Sequence, residues 1–348
     1  MRINPLTVKK FVRFRSIRRG YYSLILLSLL LLLAIFAEIF VNNRALVVRY
    51  EGQWYFPTYG ASLPGETFGF DYSYETDYRD LRERFRTEGS ENWVLMPPIP
   101  FNAFENCYPD DFILPRPPDW SRGHYLGTDM QNRDILARLL YGFRNVMIFA
   151  FGFVFGVYFL GIAIGCAMGY FGGVFDLLVQ RIIEIWSNIP FLYTVIIVAS
   201  IFERNLWVLL GITVVFSWTS MTYYMRTGTY KEKARDYVAA AQVQGASTTR
   251  IIFHHILPNI IATLVTFMPF TIASAVTALT ALDFLGYGLP EPTPSWGEML
   301  KQGTQRLKIA PWITASAFSA MVFVLILITF VGEAIREAFD PKRFTVYR

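Results

Sequence analysis

The residues with the widest chemical range in this chain are its three histidines and two cysteines, and their spacing gives them no shared reaction. His254 and His255 are adjacent, so on a helix they point apart and do not hold one metal. A structural or partner-facing role fits them better. Cys107 and Cys166 lie far apart, one before and one inside a long apolar run, so no disulfide framework is read from them. The chain has no Gly-x-x-x-x-Gly-Lys-Ser/Thr, no His-Glu-x-x-His and no Gly-x-Ser-x-Gly. What remains is a stretch whose chemistry is recognition: Asp236-Tyr237-Val238-Ala239-Ala240-Ala241-Gln242-Val243-Gln244-Gly245-Ala246-Ser247, running on to Ile256-Leu257-Pro258. Residues 237–244 are rich in helix formers. Ala239, Ala240 and Ala241 leave a low-relief surface, and Gly245 is placed to cap the helix C-terminus. A second helix is expected over 248–256, with Pro258 where the chain rejoins an apolar span. The result is a rigid knob that a soluble partner can seat. An ordinary solvated loop is the plain alternative, and local physics does not separate the two.

The elements that position this knob are apolar spans. Residues 21–41 form a run whose one charged side chain is Glu38, and about twenty apolar residues cross a bilayer as a helix. A cleaved signal peptide is the rival reading, but the apolar core is too long and no small-x-small site follows. Further spans are expected over about 142–170, 177–201, 206–224, 260–282 and 313–331. The fold class is therefore all-α integral membrane, with six transmembrane helices. Arg181 and Glu184 interrupt the third span; with Asp176 they read as a paired cluster at the interface, and a proton relay is the alternative. Gly161, Gly165 and Gly169, following Gly152 and Gly156, stack on one helix face and predict close packing against another helix. Pro190 and Pro269 fall mid-span, where a kink or loosening is expected.

Net charge is +5, and its distribution sets the sides. Arg2, Lys9, Lys10, Arg13, Arg15, Arg18 and Arg19 precede the first span with no acid among them, so residues 1–20 are expected in the cytoplasm. A nucleic-acid-binding tail is excluded by position, since the cluster abuts a span. Six spans bring the C-terminus back to the same side. The 225–258 loop (Arg226, Lys231, Lys233, Arg235 and Arg250 against Glu232 and Asp236) and the tail (Arg336, Lys342, Arg343 and Arg348) then fall inside, as their charge requires. The acid-rich segment 42–125 falls outside and is too long for a simple connection. Its 46–50 and 53–56 runs flank Glu51-Gly52 and read as a hairpin. Residues 78–88 read as a short helix and 96–118 as an irregular wrap. A small external α+β or irregular subdomain is expected there, without a metal or nucleophile constellation.

At this point the sequence resembles a known family. Ala-Ala, three residues, Gly, and Leu-Pro twelve residues after that Gly is the "EAA" signature of permease subunits in bacterial ABC importers; Ala239 replaces its Glu and His255 its Ile. Leu126-Gly127-Thr128-Asp129, Arg133-Asp134-Ile135 through Gly142, Leu282-Asp283-Phe284-Leu285-Gly286-Tyr287-Gly288, Pro292-Thr293-Pro294-Ser295-Trp296-Gly297 and Ala338-Phe339-Asp340-Pro341 resemble the dipeptide/oligopeptide (DppC/OppC) branch. The resemblance covers about 120–345. The 46–57 stretch is similar to the branch that carries peptides and microcin C across Gram-negative inner membranes. The resemblance implies a type I importer fold with a permease core over 126–348. It also implies no cofactor or catalysis in this chain, ATP-Mg being held by a partner ATP-binding subunit. The other partners it implies are a second homologous permease, a periplasmic peptide-binding protein, the peptide substrate and membrane lipid; nucleic acid is not among them. The residues it assigns to ATPase coupling are Tyr237, Ala239, Ala240, Ala241, Gly245, Ala246, Ser247 and Pro258. A permease for another small solute stays open. An ion-coupled transporter would want carboxylates at mid-membrane, whereas Glu38, Glu184 and Asp283 sit near span ends. A membrane-bound enzyme would want a catalytic constellation, and none is visible.

Overall fold

A computed structural model of the chain describes residues 5–89, 91–107 and 115–339. Arg2, the tail basics Lys342, Arg343 and Arg348, the Asp340-Pro341 end of the last motif and part of the expected wrap lie outside the described residues. The basic leader is helical: α1 (Pro5–Ser16) breaks at Ile17 into α2 (Arg18–Ile35), and α3 (Ala37–Phe40) follows a second break at Phe36. The first span thus begins earlier and ends sooner than 21–41.

The segment after α3 folds as its patterning dictates. β1 (Val47–Tyr50) and β2 (Gln53–Tyr55) pair antiparallel around Glu51 (φ 48°) and Gly52 (φ 79°). Two positive φ values in a two-residue turn match the right-handed twist of the strands. α4 (Tyr78–Glu88) is capped by Asp77, whose side chain accepts from the Arg79 and Asp80 amides. β3 (Trp93–Leu95) joins β1 on its other edge, giving the order β2-β1-β3. Val48, Phe68, Tyr78, Leu81, Phe85 and Val94 fill the space between helix and sheet. A parallel bridge between Val41 and Ile99, with Ala37, Ala103, Ala137 and Tyr141 packed beside it, seats this unit on the bundle.

α5 (Ile135–Phe171) has 37 residues and a length of about 55 Å, more than the hydrocarbon thickness. α6 (Gly173–Ser187) and α7 (Phe191–Ile201) occupy the expected third span but meet at 75°. Pro190 is the cause: it caps α7 without an amide to donate, and it pushes Ile189 out of the helical region. α8 (Leu206–Lys233) starts on an Asn205 cap. It runs nine residues past the expected span end at 224, taking Arg226 to Lys233 out of the loop and into the helix. α9 (Asp236–Val243) and α10 (Thr248–Arg250) precede a π-helical segment, Ile251–Ile256, which continues into α11 (Leu257–Leu285). α11 stays helical through Pro269. On the facing helix, Gly332 leaves room there: a Cβ at Gly332 would stand 3.1 Å from the Pro269 ring. α12 (Trp296–Gln305) is short and packs on α5 and α13 (Pro311–Phe339).

Among the described residues, five helices are therefore long and apolar enough to cross a membrane, and a sixth is reached if the bent α6–α7 pair counts as one span. They alternate in direction. One end of the bundle carries the sheet subdomain; the opposite end gathers Lys9, Arg15, Arg226, Lys233 and Arg250. The glycine face of α5 lies against α8. A Cβ at Gly161 would meet Met221 at 2.6 Å, at Gly165 the Thr222 carbonyl at 2.5 Å, and at Gly169 the Arg226 carbonyl at 2.5 Å. Gly152 and Gly156 extend the same contact to Leu210 and Val214. Only hydrogen fits along that line, so the two backbones touch.

Candidate coupling site

The small-residue stretch closes into a compact corner at the basic end. α9 finishes in a paired cap: the Gly245 amide donates to Gln242 O at 3.0 Å, and the Ala246 amide to Ala241 O at 3.0 Å. Gly245 sits at φ 78°, the left-handed conformation that this cap needs and glycine adopts without a Cβ clash. Ser247 then caps the next helix by accepting from the Arg250 amide at 3.4 Å. The helix–glycine–helix corner is thus specified by its own hydrogen bonds.

Its residues divide into an inner and an outer set. Val238 and Ala241 are buried, and Ala246 packs half-buried against the bundle, so two of the expected coupling residues face inward. Ala239, Ala240 and Gly245 are exposed, and Val243 is 89% exposed at the tip. A Cβ at Gly245 would meet nothing within 4 Å. Among the described residues nothing covers these small, uncharged side chains. Tyr237 braces the corner: its Oη donates to Glu232 Oε2 at 2.6 Å and accepts from Asn259 Nδ2 at 3.1 Å. Burial and the Glu232 carboxylate push its phenol pKa up. One residue therefore ties α9 to the end of α8 and the start of α11.

Pro258 stands in the first turn of α11, where the chain was expected to rejoin an apolar span. It lies inside a continuous helical path from Thr248 to Leu285, exposed, one residue after the π segment. The Leu257 amide reaches back five residues to Ile252 O. That wider turn accommodates a residue that has no amide and whose ring crowds the carbonyl one turn earlier. Asn259 Nδ2 donates to His255 O at 2.7 Å. His254 is exposed and His255 half-buried, and the described residues include no metal-holding group of His, Cys, Asp or Glu. A cavity of about 210 Å³ between α8 and α11 opens beside Tyr237's partners Glu232 and Asn259.

The stretch joins the spans through ionic contacts. Arg226 on α8 holds Asp176 on α6 through two hydrogen bonds, and Lys233 Nζ donates to Tyr170 O at 2.5 Å. Arg181 and Glu184 pair with each other at 2.6 Å on the surface, so Asp176 is not their partner.

At the subdomain end, residues that the sequence marked only by resemblance form a buried ionic network. Arg138 Nη2 reaches Glu298 Oε2 at 2.7 Å and Nε reaches Asp129 Oδ2 at 3.3 Å. Arg133 Nη2 reaches Asp129 Oδ2 at 2.7 Å and Glu298 Oε1 at 3.5 Å. Burial pushes Glu298 up to about 7, while the two guanidinium groups pull it down. Asp134 caps α5 by accepting from the Ala137 amide, and His124 Nδ1 lies 2.8 Å from its other oxygen. Asp283 accepts from Ser295 Oγ and the Leu289 amide, and Ser295 caps α12. These motifs are a staple joining α5, α11 and α12. Glu298 was not singled out in the sequence; a lone acid just after Trp296-Gly297, opposite arginines at a span entrance, was the available signal. Cys107 is half-buried with its thiol pKa pushed up to about 12 by burial, and Cys166 is buried in α5.

The model for the binding-protein-dependent transport system inner membrane component family matches residues 161–345. The chain is similar to the inner membrane ABC transporter permease protein YejE of Escherichia coli, at 40% identity over 98% of this chain and 99% of that protein. It is similar to the peptidoglycan transport system permease protein YejE of Agrobacterium fabrum, at 35% over 98% and 94%. Similarity to the oligopeptide transport system permease protein OppC of Escherichia coli is 31% over 72% of this chain and 82% of that one. A solved inward-facing structure of the MetNI methionine ABC transporter aligns with a TM-score of 0.48 at 17% identity, covering 59% of this chain and 97% of that chain.

Proposed function

The chain belongs to the family of binding-protein-dependent transport system inner membrane components, and we propose that within it this chain is the permease subunit of an ATP-driven peptide importer. The observation that carries the reading is the full-length match to a YejE permease, over 98% of this chain and 99% of that protein, where the OppC match covers 72% of this chain. The name of the Agrobacterium relative favours a second cargo, peptidoglycan.

In this reading the basic end faces the cytoplasm and the subdomain end faces the periplasm, by the positive-inside rule. The chain sits in the inner membrane of a Gram-negative cell, with both termini inside. The flat outer surface of α9 (Ala239, Ala240, Val243, Gly245) seats on an ATP-binding subunit, which holds ATP-Mg. Ala241 and Ala246 anchor α9 from within, Tyr237 braces it to α8 and α11, Ser247 caps the helix that follows, and Pro258 with the π segment sets its angle to α11. Closure of the ATPases moves α9, and the spans rock between two discrete packings. A second permease completes the path, and a periplasmic binding protein delivers peptide. This chain carries out no chemistry of its own.

The test is peptide-dependent growth of a peptide-auxotrophic cell lacking its own peptide importers. Expressing this chain with its ATPase, sibling permease and binding protein is expected to restore growth. Peptide uptake that survives ATP depletion but collapses with the proton gradient would replace this reading with an ion-coupled carrier.

A further inference from the structure

A cavity of about 610 Å³ opens at the subdomain end between the α7–α8 connection, the end of α11 and α12. Arg204, Lys301 and Arg306 line it, and among the described residues none of the three has a carboxylate within ion-pairing distance. Two of them converge on one backbone unit. Arg204 Nη1 donates to Gly286 O at 2.5 Å, and Lys301 Nζ lies 2.9 Å from where a Gly286 Cβ would stand. The acids at the cavity do not answer this charge. Glu298 is held by Arg138 and Arg133, Asp283 by Ser295 and the Leu289 amide, and Glu291 is exposed with no basic partner among the described residues.

The C-terminal end of α11 accounts for one cation, since Arg204 satisfies a terminal carbonyl there. It does not account for a second cation beside the first, because like charges at close range disfavour each other until an anion joins them. A guanidinium and an ammonium aimed into one concave space make a carboxylate site, the fork supplying direction and the ammonium a point charge. The space is far larger than a carboxylate and within the range of pockets that take small molecules.

We infer that this cavity receives the C-terminal carboxylate of the arriving peptide, with Arg204 and Lys301 as its inner contacts and Arg306 at the rim. The inference rests on the peptide-importer reading and adds to it a place where the free carboxyl end is recognised.

The experiment uses the assembled transporter in proteoliposomes, with the same binding protein throughout, and compares uptake of trialanine and trialanine amide at limiting concentration. The ratio of acid to amide uptake is the readout, so discrimination by the binding protein cancels between variants. Lys301→Gln is expected to lower the ratio about tenfold relative to the unaltered chain, and Lys301→Arg to preserve it. Arg306→Gln, at an exposed position, is expected to lower it less and serves if Lys301→Gln does not assemble. An unchanged ratio in Lys301→Gln or, failing its assembly, in Arg306→Gln overturns the inference. Parallel loss of both uptakes also overturns it and assigns the cations to a docked protein's acidic side chain. If the unaltered transporter imports neither probe, it is the peptide-importer reading that fails.

Discussion

Arg226 and Asp176 form a two-pronged pair between α8 and α6, with Nε to Oδ1 at 2.5 Å and Nη2 to Oδ2 at 2.6 Å. The pair fixes the beginning of the broken third span to the helix that leads into α9. It lies two turns from Lys233, whose own bond to Tyr170 O ties the same region to the end of α5.

This pair is partly exposed, so its energetic weight is modest. Asp176→Asn and Arg226→Gln are each expected to cost about 1 kcal/mol, with a double-mutant coupling of similar size in denaturant titrations of the purified complex. Uptake is expected to fall further than stability does, because α6 and α8 lose a fixed relation. Additive effects on both readouts would show the pair to be idle.

The glycine line on α5 predicts a steep contrast. Gly165→Ala puts a methyl group 2.5 Å from the Thr222 carbonyl, a backbone atom that cannot rotate away. A loss of about 1–3 kcal/mol is expected, read as a lower Tm of the detergent-purified protein. Gly211→Ala on α8 meets nothing within 4 Å. It is expected to be neutral or to gain up to about 1 kcal/mol from helix propensity.

On α9 the outer and inner residues separate by readout. Val243 is 89% exposed, so in Val243→Glu insertion and Tm are expected to hold while co-purification of the ATPase and uptake are lost. Gly245→Trp is expected to insert normally and to uncouple uptake, since its space is open and its φ is strained. Gly245→Asn, which tolerates the left-handed region, is expected to retain uptake. Val238→Ala should behave oppositely to Val243→Glu, lowering Tm through loss of buried surface.

The sheet subdomain has an acid limit. Burial alone would raise Asp77, but the Arg79 side chain and the Arg79 and Asp80 amides hold it below its usual value of 3.8. Its folded pKa is depressed, so its contribution is present above about pH 4 and is lost as pH falls through the folded value. Tryptophan fluorescence from Trp54 and Trp93, which meet edge to face at 5.6 Å, reports this transition. Asp77→Ala is expected to flatten that pH dependence and to cost about 1 kcal/mol at neutral pH through the lost cap.

Local signals were legible in the sequence wherever a short-range rule decides the outcome. Glu51-Gly52 set the hairpin, the charged 78–88 run set α4, and glycines at spacing four marked the face of α5. Gly245 marked the corner, since one positive φ there fixes everything around it. What the sequence hid depends on distant partners. β3 is three residues long and is defined only by pairing with β1. Glu298 acquires its importance from Arg138, which lies far away along the chain. The α8 extension crossed a charged stretch that hydropathy assigns to a loop, because Lys233 and Arg226 are satisfied by Tyr170 and Asp176. Ala241 and Ala239 look alike in sequence, and only the packing of α9 turns one inward and the other outward.

The unbroken helical path from Thr248 to Leu285 has 38 residues and spans about 57 Å. One of its ends abuts α9, and Gly286, just past the other, forms part of the Arg204–Lys301 cavity. Two ligands acting on opposite ends of one rod must influence each other equally, since the coupling free energy is a single quantity. Whatever ATPase seating does to affinity in the cavity, occupancy of the cavity does in equal measure to ATPase seating. The π turn at Ile251–Ile256 is then the joint whose stiffness sets how much of that energy crosses from one end of the bundle to the other.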